Sequence, residues 1–207
     1  GGRRGDLGPV GARRLGGAVG AQAVGVVDDA AVLDRLAGGD RLAAHRVNRA
    51  AGEAAAQAAH QRFMQEVITP AILPQAQALV RAHQQAGDLV VITSATNEFV
   101  TRPIAAAFGV QELLSTELER DATGWFTGGV QGVPNMREGK VVRMDAWLAA
   151  RGLCWEGVES TFYSDSMNDL PLLERVNHPV ATNPEPRLRA IAQERGWRVL
   201  DLFTENP

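Results

Sequence analysis

From residue 60 onward, short apolar runs alternate with longer amphipathic ones, and no other feature restricts the possible folds so tightly. "DLVVIT", "STFYS", "PVAT" and "WRVLDLF" are strand-length segments bounded by turn residues. Between them lie "PQAQALVRAHQQAG", "NEFVTRPIAAAFG", "REGKVVRMDAWLAARG", "LPLLERV" and "PRLRAIAQERG", whose apolar residues recur at helical spacing. In the third of these, Val141, Met144, Trp147 and Leu148 share one face. Gly87, Gly109 and Gly152 stand where three of the helices should stop. "ELLSTELE" and "WFTG", joined by "RDATG", read as two strands around a turn. Strands that alternate with helices of this length pair in parallel and are covered on both faces. The expected fold class is therefore α/β with a doubly wound parallel sheet. At 207 residues the chain suffices for one such domain plus a small insertion.

Composition removes several function classes. A net charge of −3 leaves no basic footprint for nucleic acid or for an acidic membrane surface. Cys154 is the only cysteine, so neither an internal disulfide nor a cysteine metal site is available, and a reducing, cytoplasmic location is expected. No apolar run reaches the roughly 18 residues of a membrane span. "ARRLGGAVGAQAVGVVDD" has an arginine pair ahead of a Gly/Ala stretch, but lacks the hydrophobic middle of an export signal. The expected partner is something small. Oligomeric state cannot be read from the sequence.

In doubly wound sheets ligands sit at the carboxyl ends of the strands, and three polar clusters fall there or at the adjoining helix starts. "VVITSATN" delivers Thr93, Ser94, Thr96 and Asn97 to a helix start, where hydroxyls and free N–H groups can seat an oxyanion. Ordinary helix capping is the plainer use of such residues. Lys140 is the only lysine, against 20 arginines. A compact ammonium fits a tight phosphate site that a planar guanidinium would not. "FYSDSMNDLP" places Asp165 and Asp169 four residues apart beyond a strand, a pair able to bind a hard cation such as Mg2+, with Asn168 between them to donate to a phosphate. His45, His60, His83 and His178 share no ligand spacing and are expected in surface or capping roles. Trp125, Trp147, Trp155 and Trp197 are expected in the core or at its edge.

Taken in this order, "ITSATN", "REGKV" and "SDSMND" resemble the Ser/Thr, lysine and acidic motifs of the haloacid dehalogenase superfamily, and are especially similar to its phosphoserine-phosphatase-like branch. The resemblance runs from about His60 to Phe203. It implies a Rossmann-like core with a helical cap inserted near the N-terminus. It also implies hydrolysis of a small phosphorylated metabolite through an aspartyl-phosphate, with Mg2+ as cofactor. In that scheme Ser94, Asn97, Lys140 and Asn168 bind phosphate, Ser94, Lys140 and Asp165 are the catalytic group, and Asp165 holds the metal with Asp169 as a direct or supporting partner.

The sequence departs from this pattern at the nucleophile. The family's first strand ends in Asp-x-Asp, and no Asp-x-Asp occurs in the chain. The nearest candidate is Asp28 in "AVGVVDDAA", where the next residue is Asp29 and position 30 is Ala. Neighbouring strand residues point to opposite faces. The nucleophile is therefore left unknown. Residues 1–60 also hold 12 of the 22 glycines and 16 alanines but not one aromatic residue, too little large side chain to bury much area. We expect this segment to be an incomplete, aberrant cap, or the product of a GC-rich gene read out of frame. In the second case the family frame resumes near His60, with residues 61–207 as the core and its central strand missing. Two alternatives stay open: a non-catalytic phosphate-binding relic, and a receiver-like Mg2+-binding signalling domain.

Overall fold

The computed structural model describes residues 22–28 and 52–202. Seven strands form one sheet: β1 (Gln22–Asp28), β2 (Leu89–Asn97), β3 (Glu112–Arg120), β4 (Phe126–Gln131), β5 (Val158–Ser164), β6 (His178–Thr182) and β7 (Arg198–Leu200). Their order is β4-β3-β2-β1-β5-β6-β7. Every pairing is parallel except that of β3 with β4. Helices α1 (Gly52–Phe63), α2 (Pro74–Ala86), α3 (Glu98–Ala107), α4 (Glu138–Ala149), α5 (Leu170–Leu173) and α6 (Pro186–Glu194) fill the crossovers. This is the doubly wound α/β sheet that the alternation predicts.

The central strand is β1. It pairs with β2 from Val24↔Leu89 to Asp28↔Thr93, and with β5 from Gln22↔Val158 to Val27↔Tyr163. The strand that an out-of-frame start would leave out of the sheet is thus supplied by Gln22–Asp28, weakly apolar though it is. His60 lies within α1. A strand between two partners needs few large side chains, because its backbone bonds are satisfied on both edges and the helices pack over it.

Alternation along the strands divides the core between the two faces. Val24, Val26, Val91, Phe162 and Ala181 pack with Met144, Trp147, Leu148, Leu172, Leu173 and Leu188. On the other face Val80, Val90, Ile92, Ala105 and Val110 form a smaller cluster. Trp147 is buried and Trp125, Trp155 and Trp197 are half-buried, as expected of packing residues.

Helix boundaries follow local chemistry. Gly87, Gly109 and Gly152 all take positive φ, the left-handed conformation that ends a helix at little cost. Pro186 opens α6, where its missing N–H has no intrahelical partner to lose. Two elements are shorter than predicted. The "LPLLERV" helix is regular only over Leu170–Leu173, because the chain must turn back for Asn177 to bond Ser160, whose N–H and hydroxyl both donate to Asn177 Oδ1 at 2.8 and 2.7 Å. The "WRVLDLF" strand is regular only over Arg198–Leu200. Beyond it the Leu202 N–H is taken at 2.8 Å by a side chain, Asn183 Oδ1, instead of a neighbouring strand.

His83 corrects the surface role expected for the histidines. It is buried on α2, with Nδ1 2.6 Å from Asp88 Oδ2 and Nε2 2.9 Å from the Tyr163 hydroxyl. Its ring lies over Gly25 of β1, where a Cβ would stand 3.1 Å from the imidazole. His178 does lie at the surface, paired with Glu159. His45 lies outside the described residues.

His60, on α1, packs edge-on against Phe99 with ring centroids 5.0 Å apart and reaches the Val100 carbonyl through Nε2 at 3.4 Å. Burial lowers its pKa, and the bond to Val100 opposes that shift in part. Because the folded pKa lies below the unfolded one, the unfolded chain takes up the proton first as pH falls. The residue's contribution is whole above about pH 6.5 and is lost as pH drops through the folded value. Thermal midpoints measured from pH 8 to pH 5 should therefore fall more steeply for the parent than for His60→Phe, which has nothing to protonate.

Candidate functional site

The parallel strands carry their polar residues to one edge. β1 ends at Asp28, opposite Thr93 of β2. The next β2 residue is Ser94, and β5 runs out through Ser164 into Asp165. Thr93, Ser94, Ser164 and Asp165 are all buried, with relative exposures between 1 and 6%. Apolar strands that end in buried hydroxyls and carboxylates give up solvation that only a ligand or a polar network can return.

Lys140 enters this edge from the first turn of α4 and is 2% exposed. Its Nζ lies 2.6 Å from Asp169 Oδ1, and the other Asp169 oxygen accepts the Ser164 hydroxyl at 2.7 Å. The lysine and acidic clusters, far apart in sequence, thus meet in a buried ion pair. The Lys140 ammonium also stands 6.0 Å from the Phe162 ring centroid, on the side of its attractive face.

The turn that delivers Lys140 is tightly wound. The Pro134 carbonyl accepts Met136 N–H at 2.9 Å, and Lys140 N–H donates to the Arg137 carbonyl at 3.0 Å. Gly139 passes so close to Pro134 that a Cβ there would lie 2.0 Å from its carbonyl oxygen. Arg137 sits at φ 52°, ψ −124°, a region that only glycine visits cheaply. Its Nε donates to Asn168 Oδ1 at 3.2 Å, tying the lysine loop to the acidic one.

Asn135 connects Ser94 to the loop that leads to Lys140. Asn135 is fully buried, and its Nδ2 lies 2.7 Å from the Ser94 carbonyl, 2.8 Å from the Leu114 carbonyl and 2.9 Å from Thr93 Oγ1. Its own N–H donates to Thr116 Oγ1 at 3.1 Å. One amide therefore holds the ends of β2 and β3 against the loop that leads to Lys140. The Ser94 hydroxyl accepts Thr96 N–H at 3.0 Å. Asn97 is the N-cap of α3, its Oδ1 taking Val100 N–H at 3.2 Å, so its carboxamide oxygen serves the helix.

A second loop braces the acidic one. Glu185 N–H donates to the Asp165 carbonyl at 3.0 Å, and Glu185 Oε1 accepts Met167 N–H at 2.8 Å. Neither Asn135, Arg137 nor Glu185 stands out in the sequence reading. The signal that could have raised Asn135 and Arg137 is their place just before the only lysine. Glu185, eighteen residues beyond the Met167 amide it caps, offers none.

Chemically, the described residues bring to this edge the Lys140 ammonium, the Asp165 and Asp169 carboxylates, hydroxyls and the exposed Asn168 amide. The carboxylates are hard oxygen donors suited to Mg2+, which takes one or two of them and keeps water on its other positions. Asp169 has both oxygens engaged, by Lys140 and Ser164. Of Asp28, only the backbone position at the end of β1 is described.

Comparison with known proteins shows the family and the fold. Residues 5–174 match the haloacid dehalogenase-like hydrolase family. The chain is 46% identical over 144 residues to a histidinol-phosphatase from Neisseria meningitidis, a match covering 69% of this chain and 65% of that protein. Other curated relatives are spanned over about half their length. A crystal structure of a protein of unknown function from Bordetella pertussis superposes with TM-score 0.73 at 42% identity, covering 88% of this chain and all of that one. A phosphoserine phosphatase solved as a phospho-aspartyl intermediate analogue superposes with TM-score 0.53 at 16% identity, over 88% of this chain and 94% of that one, a likeness of fold.

Proposed function

Because the chain belongs to the haloacid dehalogenase-like hydrolase family, we propose that it is a Mg2+-dependent phosphatase hydrolysing a small phosphorylated metabolite through an aspartyl-phosphate. The buried Lys140–Asp169 pair at the carboxyl edge of the sheet carries this reading. An ammonium desolvated that thoroughly needs a fixed anion beside it, and a phosphoryl group is the second anion that such a site suits.

In this reading Lys140 neutralises charge on the phosphoryl oxygens, with Asp169 holding its ammonium in place. Asn168 offers its N–H groups, and Ser94 its hydroxyl, to the same oxygens. Asp165 would hold Mg2+ with Asp169 in support, and the bound ion supplies further charge neutralisation at the phosphate. A carboxylate at the end of β1 attacks phosphorus as the ester P–O bond breaks, and the leaving oxygen takes a proton. Water then cleaves the acyl phosphate and releases inorganic phosphate. Asp28 is the residue that the backbone places at that strand end.

The family's acid/base aspartate, two residues beyond the nucleophile, is Ala30 in this sequence. Protonation of the leaving group then falls to water. We expect aryl phosphates, whose leaving groups need no proton, to be cleaved faster than alkyl phosphates by about a hundredfold, the usual worth of a general acid. Histidinol phosphate is the first natural substrate to try, with phosphoserine and simple phospho-alcohols beside it.

The lack of Asp-x-Asp favours one alternative, a phosphate-binding relic without turnover. Release of phosphate from an aryl phosphate, with and without Mg2+ and for Lys140→Ala, separates the two. Multiple turnovers that need both Mg2+ and Lys140 support the phosphatase. Binding of phosphate with no turnover by the parent protein supports the relic, and a single stable phosphorylation event points to the receiver-like reading.

A further inference from the structure

We propose that Arg137 is a positioning residue of the phosphate site, acting through Asn168; this rests on the reading above, in which Asn168 donates to the phosphoryl group. An amide side chain presents either its oxygen or its N–H groups to a ligand, and the two faces act oppositely on an anion. Arg137 Nε can only donate, and it holds Asn168 Oδ1 at 3.2 Å. The Asn168 N–H groups are thereby turned away from Arg137 and kept as donors. Without that contact the exposed amide can rotate and offer its oxygen to the phosphate.

The backbone supplies an independent observation. Arg137 occupies φ 52°, ψ −124°, where glycine would sit without strain. A position serving only to start α4 would be better filled by glycine. At this geometry the Arg137 carbonyl receives Lys140 N–H at 3.0 Å while the side chain crosses to the acidic loop, so one residue aligns both halves of the site. The strain is explained if the side chain has work that glycine cannot do.

The test uses inorganic phosphate binding, measured by calorimetry on the full chain with Mg2+ present, so it does not depend on turnover. Arg137→Gly should melt at a higher temperature than the parent yet bind phosphate roughly tenfold more weakly, the worth of a hydrogen bond to a charged group. Arg137→Lys, which keeps a donor within reach, should recover part of that loss. In an Asn168→Ala background the Arg137→Gly change should cost nothing further, because its effect runs through the missing amide. Phosphate binding as tight in Arg137→Gly as in the parent overturns the proposal. So does an undiminished penalty in the Asn168→Ala background. A parent protein that binds no phosphate at all is a different result, and removes the phosphate reading of the site itself.

Discussion

Lys140→Ala should lower phosphate-ester turnover by at least about a hundredfold and cost about 3–5 kcal/mol of folding stability. Both effects come from one geometry. The ammonium lies 2.6 Å from Asp169 Oδ1 with both side chains at 3% exposure or less. Removing it takes the cation away from a carboxylate that is 1% exposed and also accepts the Ser164 hydroxyl. Breaking a buried pair by removing one member costs more than the pair gains, so the loss exceeds that of an ordinary surface lysine several times over. A double replacement by apolar residues, Lys140→Met with Asp169→Leu, should return most of the stability and none of the activity. Urea denaturation of the three variants measures the first effect, and phosphate release the second. A single variant as stable as the parent would show that the pair is solvated in solution.

Gly139→Ala should destabilise the protein by about 3 kcal/mol, against a local preference of the opposite sign. Position 139 is the second residue of α4, and an alanine inside a helix is ordinarily favoured over glycine by up to about 1 kcal/mol. Here the new Cβ would lie 2.0 Å from the Pro134 carbonyl oxygen and 3.4 Å from Val133 Cγ1. A carbonyl oxygen already bonded to Met136 N–H cannot swing aside, so the start of α4 must move. The next residue is Lys140, and a shift of that turn withdraws the ammonium from Asp169. Phosphate binding should therefore weaken together with stability. Chemical denaturation decides the sign: a stabilised variant would mean that Pro134 is not held against the helix.

Much of this was legible in advance for a physical reason. Helix and strand periods, glycine stops and proline starts act over a few residues. The predicted order of elements from residue 74 to residue 200 accordingly matches the observed one, with the shortfalls confined to "LPLLERV" and "WRVLDLF", where side chains distant in sequence capture the backbone that follows, Ser160 Oγ the Asn177 N–H and Asn183 Oδ1 the Leu202 N–H. The polar clusters at the strand ends could be found because the fold class says where to look. Ser94, Lys140, Asp165 and Asp169 all lie at the same edge, whereas Asn97 is spent on capping α3.

What the sequence determined by itself is the set of local elements and the kinds of chemical group each carries to its end. The tertiary structure decided which groups meet. Only sheet order brings β1 between β2 and β5, the lysine of α4 onto the second aspartate, His83 under Tyr163, and Asn135 across the ends of β2 and β3. Those pairings link residues tens of positions apart, and no short-range spacing encodes them. They follow from the register of parallel strands and the direction of each crossover, which are settled when the core closes.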